Sequence, residues 1–256
     1  MNVRGDGMQI IMDDKIIEGI SLNEYYLPNM KGYKGVFFMI HGHTSSKDYG
    51  TGLFPKRLAE LGYYAIALDA YKHGMRKEEP YISGSETEMI AEMPSVIYHT
   101  SLDIQKLYQK YYSQVSPHVS ILGISMGAMI AWQMPKHLSN LRYLIALIGT
   151  PNCEKIYREN HQKLMDMPEV AQMINKLNVI EKINDYQKTI IYCANGSKDL
   201  LVDYHSTQDF ISQYKNLFLT KPQLKIYDTA HDTPNIMIDE MFEWLNLMGD
   251  NDDFSN

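Results

Sequence analysis

Short apolar runs recur along the chain at Gly35–Ile40, Tyr63–Leu68, Val119–Ile124, Tyr143–Ile148, Thr189–Cys193 and Gln223–Tyr227. Runs of this length with little polar alternation read as strands covered on both faces. Between them the period changes. Leu53–Leu61 carries a helical apolar face closed by Gly62, and Tyr204–Tyr214 and Asn235–Leu247 are helical as well. A longer helix begins at Ser95 or Thr100 and runs to about Tyr112, with Ile97, Leu102, Ile104, Leu107 and Tyr111 on its apolar face. Upstream, Met8–Met12 and Ile16–Tyr26 read as two strands of an opening hairpin turned at Asp13-Asp14. Buried strands alternating with helices predict βαβ units and a mostly parallel sheet.

About forty residues between the strands at Tyr143–Ile148 and Thr189–Cys193 carry no strand signal. Glu154–Asp166 and Glu169–Ile183 are helical there, split by Pro168. The segment is too short for an independent core, so residues 150–188 are expected to form a small helical cap on a single domain spanning 1–256. The acidic tail 249–256 is expected to be disordered.

Composition narrows the chemistry. The 256 residues carry a formal charge of −7, and no cluster of Lys and Arg suggests a phosphate backbone as partner, so nucleic acid is excluded as the main ligand. No apolar run approaches the roughly 18 residues of a membrane span. The start, Met1–Asp6, lacks the apolar centre of a signal peptide, and Cys153 and Cys193 are too few for a disulfide framework. A cytoplasmic protein is the expectation.

One pentapeptide carries chemistry. Gly123-Ile124-Ser125-Met126-Gly127 has the form G-x-S-x-G between the strand ending at Ile124 and the helical Ala128–Gln133. Such a turn is sharp enough to need glycine on both sides. It lifts the serine hydroxyl above the sheet edge and aims the next backbone N–H, that of Met126, at a bound carbonyl oxygen. Chance alone supplies the pattern in roughly one chain of this size in ten, so the base and acid must be found elsewhere.

Further stretches join it in order: His41–Lys47, Asp69 with His73-Gly74-Met75-Arg76, Gly149–Asn152, Asn195–Val202, and His231. Together with Gly123–Gly127 they resemble the α/β-hydrolase superfamily, and within it the small esterases related to prolyl oligopeptidase and dienelactone hydrolase. That resemblance implies an α/β-hydrolase fold with a mostly parallel sheet of about eight strands flanked by helices. It implies Ser125 as nucleophile, His231 as general base after the last strand, and an acid in the loop after the strand at Thr189–Cys193. Asp199, in a G-x-x-D-x-x-V frame, is the first candidate for the acid, and Asp203 competes with it. The second oxyanion donor implied is the backbone N–H of His43, beside that of Met126.

By the same resemblance Asp69 and Arg76 form a bracing pair. The cap side chains Tyr157, Met165, Met167 and Met173 read first as packing, and some of them line an apolar acyl pocket if the cap covers the site. His41 and His43 are one residue apart but have no further ligand placed with them, which argues against a metal site. The chemistry implied is hydrolysis of carboxylic esters through an acyl-enzyme, with no metal or cofactor required and a small-molecule ester as partner. A peptidase or thioesterase with the same triad, or a non-catalytic binding scaffold, are the alternatives.

Overall fold

The computed structural model describes residues 9–77 and 84–250. Eight strands form one sheet: β1 (Ile11–Ile17), β2 (Ile20–Tyr26), β3 (Val36–Ile40), β4 (Tyr64–Leu68), β5 (Val119–Ile124), β6 (Leu141–Leu147), β7 (Ile190–Gly196) and β8 (Gln223–Tyr227). Their order is β1-β2-β4-β3-β5-β6-β7-β8. The first two strands pair antiparallel with each other, β2 pairs antiparallel with β4, and every later pairing is parallel. The α/β-hydrolase expectation is met.

The pleat divides the central strands between two cores. Val36, Phe38 and Ile40 face one side with α2 (Glu86–Leu107) and α3 (Met126–Ala131). Phe37 and Met39 face the other, with Phe54 and Leu58 of α1 (Phe54–Glu60) and Met237, Met241 and Leu245 of α8 (Asn235–Asp250). Side chains alternating between two covered faces leave no polar position in β3, which is why its sequence is an unbroken apolar run.

Two expectations about element boundaries are corrected. The opening hairpin turns at Glu18-Gly19, where both residues have positive φ (51° and 78°), the backbone a tight two-residue turn requires. Asp13 and Asp14 lie inside β1, and Met8 lies outside the described residues. The long helix starts earlier than expected, at Glu86. Ser85 caps it, its side chain accepting from the Glu88 N–H while the Glu88 carboxylate accepts from the Ser85 N–H.

Pro94 sits inside this helix rather than ending it. Proline has no N–H to give the carbonyl four residues back. That carbonyl, of Ile90, instead accepts the Tyr157 hydroxyl at 2.6 Å, which ties α4 (Cys153–Asn160) to α2. After Leu107 the helix widens into a π turn over Tyr108–Tyr112.

Between β6 and β7 the chain folds as α4, α5 (Gln162–Met165), α6 (Pro168–Lys176) and a 3-10 stretch at Ile180–Tyr186. Helix α7 (Tyr204–Tyr214) joins β7 to β8. Of the tail expected to be disordered, Gly249 and Asp250 end α8, and 251–256 lie outside the described residues. Among the described residues no helix is long and apolar enough to cross a membrane.

Candidate active site

Ser125 stands between β5 and α3 with φ 56° and ψ −115°, a conformation that L side chains rarely adopt. Three features hold it there. Its N–H donates to Leu147 O at 2.9 Å, pinning the turn to β6. A Cβ on Gly123 would lie 2.0 Å from Gly127 O, so a side chain there would drive the strand away from the helix. A Cβ on Gly127 would lie 2.3 Å from Ile40 O, so only glycine lets α3 start against β3. The two motif glycines are thus close-approach residues, and neither is needed for a positive φ of its own.

The Ser125 hydroxyl is 2.8 Å from His231 Nε2, and His231 Nδ1 is 2.6 Å from Asp199 Oδ2. The other carboxylate oxygen, Oδ1, accepts the N–H groups of Leu201 (2.9 Å) and Val202 (3.0 Å). The Asp199 side chain is fully buried, and that of His231 is 22% exposed. Their two loops are laced together, Ser197 N–H donating to Tyr227 O and Lys198 N–H to Thr229 O. Gly196 makes this possible, since a Cβ there would meet the carbonyls of Thr229 and Ala230 at 2.4 Å. Asp203, the competing acid, is turned elsewhere. It caps α7 through the His205 N–H, contacts His205 Nδ1 at 2.7 Å and pairs with Lys155.

The loop after β3 runs beside the serine: a Cβ on Gly42 would be 3.5 Å from Ser125 Cβ. His43 and Met126 both line the cleft in front of Ser125. Lys47 anchors the far side of this loop. Its buried ammonium reaches Asn23 (2.9 Å), Asp48 (3.1 Å) and Asp14 (3.2 Å), and its N–H donates to Asp69 Oδ1 at 2.8 Å. The expected Asp69–Arg76 pair is not formed between side chains. Arg76 donates to the Asp69 backbone carbonyl and pairs with Asp103 at 2.6 Å, while Asp69 Oδ2 accepts the Met75 N–H. Gly74 is obligatory here, because at φ 54° its Cβ would fall 2.0 Å from Asp69 Oδ1.

Electrostatics separate the histidines. His41 is fully buried. Its Nε2 accepts the Ala70 N–H at 3.1 Å and its Nδ1 is 2.7 Å from Gly42 O, so the proton sits on Nδ1. Burial pushes its pKa down to about 4, and burial does the same to His43. Both rings lie near His73, 5.4 Å and 5.6 Å between centroids, and burial lowers His73 too. Among the described residues no group of three or more His, Cys, Asp and Glu side chains is placed to hold a metal ion. Cys193 is buried inside β7 with its thiol pKa raised, which fits a small apolar role, and burial holds the Cys153 thiol up at about 12.

The cleft in front of Ser125 measures about 580 Å³. Sequence reasoning missed one wall of it, made by Glu86, Met89, Ile90 and Met93 of α2, because Pro94 reads as a helix stop. The signal that finds it is the capping pair Ser85 and Glu88. Of the expected pocket residues, Tyr157, Met165, Met167 and Met173 are not among those lining the cleft. Ile156, Asn160 and His161 from the same segment line it instead.

The dienelactone hydrolase family model matches residues 50–232, a span that holds Ser125, Asp199 and His231. The chain belongs to the dienelactone hydrolase family. It is therefore a hydrolase of the α/β-hydrolase superfamily. Solved structures similar to this chain share the fold at low identity. One, from Thermus thermophilus, has a TM-score of 0.78 at 18% identity and covers 96% of this chain and 100% of its own. A Pyrococcus furiosus esterase has a TM-score of 0.64 at 18% identity, covering 94% of this chain and 91% of its own. A Klebsiella pneumoniae putative dienelactone hydrolase has a TM-score of 0.67 at 16% identity, covering 95% and 100%. No protein of curated function matches the chain by sequence.

Proposed function

We propose that this family member is a serine carboxylesterase with Ser125 as nucleophile, His231 as general base and Asp199 as the acid that orients it. The supporting observation is the continuous hydrogen-bonded chain from Ser125 through His231 to a buried, doubly anchored Asp199. Ser125 Oγ attacks the ester carbonyl as His231 Nε2 takes its proton, and the Asp199 carboxylate balances the imidazolium. The backbone N–H groups of His43 and Met126 receive the negative charge of the tetrahedral oxygen. His231 then protonates the leaving alcohol and afterwards activates the water that releases the acid. Every step uses groups of this chain.

Residues 150–188 act as a cap on a single domain. Ile156, Asn160 and His161 in the cleft and the Tyr157 tie to α2 support that reading. Two cysteines, both free and buried, support a cytoplasmic location. Wild-type protein should hydrolyse 4-nitrophenyl butyrate and be labelled by a fluorophosphonate. Ser125→Ala should do neither while keeping its melting temperature. Labelling that survives in the variant would remove Ser125 from the role.

A further inference from the structure

The cleft reaching away from Ser125 carries more chemistry than the triad uses. Met89, Ile90 and Met93 of α2, Met129 of α3, Ile156 and Leu201 give it an apolar lining. Its polar lining outside the triad is sparse: Glu86, Thr44, Asn160, His43 and His161. Among the described residues no Lys or Arg lines it. Lys155 and Arg158, which flank the lining residue Ile156 in sequence, pair with Asp203 (3.5 Å) and Glu154.

From this lining we infer that the enzyme takes esters with an apolar arm of adjustable length and discriminates against esters whose arm ends in a carboxylate. This rests on the serine esterase reading above. Three physical points carry it. A carboxylate entering the cleft gives up water and meets methionine and isoleucine side chains with no lysine or arginine among the described lining residues to replace the lost solvation. Among the described lining residues the single carboxyl side chain is Glu86, which repels it. His43 adds no positive charge at neutral pH, since burial keeps its imidazole uncharged down to about 4.

Length tolerance has its own basis. Methionine is unbranched and polarisable, so a wall built from Met89, Met93 and Met129 reshapes around chains of different size. Leu200 and Leu201, also in the lining, are 92% and 61% exposed and carry the apolar surface out to solvent. A longer chain therefore keeps gaining contact beyond the enclosed part.

The test compares matched pairs of substrates on the wild-type enzyme. With the charge on the acyl side, 4-nitrophenyl hexanoate is set against the 4-nitrophenyl monoester of adipic acid, which has the same number of acyl carbons. With the charge on the alcohol side, 4-carbamoylphenyl butyrate is set against 4-carboxyphenyl butyrate. The neutral member should exceed its anionic twin in kcat/KM by about 100-fold in whichever series fills the cleft. From acetate to hexanoate, kcat/KM should rise by up to about threefold per methylene if the acyl arm is the one enclosed.

Glu86→Gln should raise the anionic twin about two- to threefold at low salt, with the gain shrinking as salt is added. Met93→Lys should narrow the preference at least about tenfold by supplying the missing cation. Discrimination below tenfold in both series overturns the inference, as does a Met93→Lys enzyme that folds and leaves the preference intact. Fluorophosphonate labelling of Ser125 separates the two levels. A labelled enzyme without discrimination refutes the selectivity alone, and an unlabelled one refutes the esterase reading with it.

Discussion

Replacing Asp199 by Asn tests the orientation of the proposed base through a constraint peculiar to this site. In the native enzyme the two carboxylate oxygens are not interchangeable. Oδ1 is held by the Leu201 and Val202 N–H groups, and Oδ2 faces His231 Nδ1. An asparagine must keep its oxygen on the two backbone donors, because turning the amide would point N–H at N–H twice. Its NH2 group is then forced onto His231 Nδ1, which must become the acceptor. The ring proton moves to Nε2, where it faces Ser125 Oγ at 2.8 Å, and the serine loses its proton acceptor.

The same exchange in a serine protease triad lowers kcat about 10⁴-fold, equivalent to about 5 kcal/mol of transition-state stabilisation. Shape and burial are retained, so the stability loss should stay within about 1–3 kcal/mol, the cost of disturbing one buried hydrogen-bonded pair. The assay is kcat for 4-nitrophenyl butyrate at pH 7–8, with the fluorophosphonate labelling rate and Tm measured on the same preparation. Asp203→Asn is the control. It removes a charge that caps α7 and contacts His205 and Lys155, and its kcat should stay within about threefold of wild type, with about 1 kcal/mol lost from the helix end. A folded Asp199→Asn enzyme within tenfold of wild-type kcat would refute the tautomer argument. A larger loss at Asp203 than at Asp199 would move the acid.

Two other expectations concern stability. Burial lowers the His41 pKa from 6.5 to about 4, so below pH 6.5 the unfolded chain takes up a proton that the folded one refuses. Stability should therefore fall as pH drops through that window, by about 2 kcal/mol at pH 5 from His41 alone, with His43 and His73 acting in the same direction. Denaturant midpoints from pH 7 to 5 read this directly, and a flat profile would contradict it. Gly127→Ala puts a methyl 2.3 Å from Ile40 O and 2.8 Å from His41 O, both backbone atoms that cannot swing aside. It should cost about 2–3 kcal/mol and lower Tm by roughly 4–12 °C, with a fall in kcat as the Met126 N–H is displaced. An unchanged Tm would show that α3 can shift freely against β3.

Much of the molecule is written locally. β3 is covered on both faces, so its sequence is apolar without interruption, and β5 and β6, each broken by one polar residue (Ser120 and Arg142), still read as buried strands. The serine turn is equally local, since its glycines answer to a strand and helix adjacent in the chain. Chain order then nominates Asp199 and His231, but it leaves Asp203 in contention. That choice belongs to tertiary structure. Asp199 faces the base because Gly196 lets two loops about thirty residues apart in sequence lie against each other, and Asp203 is occupied by a helix end.

The hairpin turn and the start of α2 were misread because local signals compete there. Asp13-Asp14 has turn-forming residues yet sits in a strand, and Lys47, thirty-three positions on, pairs with Asp14. Pro94 weakens a helix on its own, but here the carbonyl it leaves free is filled by Tyr157 from α4. The sequence by itself determined the sheet and the serine turn and nominated His231 as the proposed base. Tertiary structure alone decided which aspartate meets that histidine and which residues wall the cleft, because both depend on contacts between segments far apart in the chain.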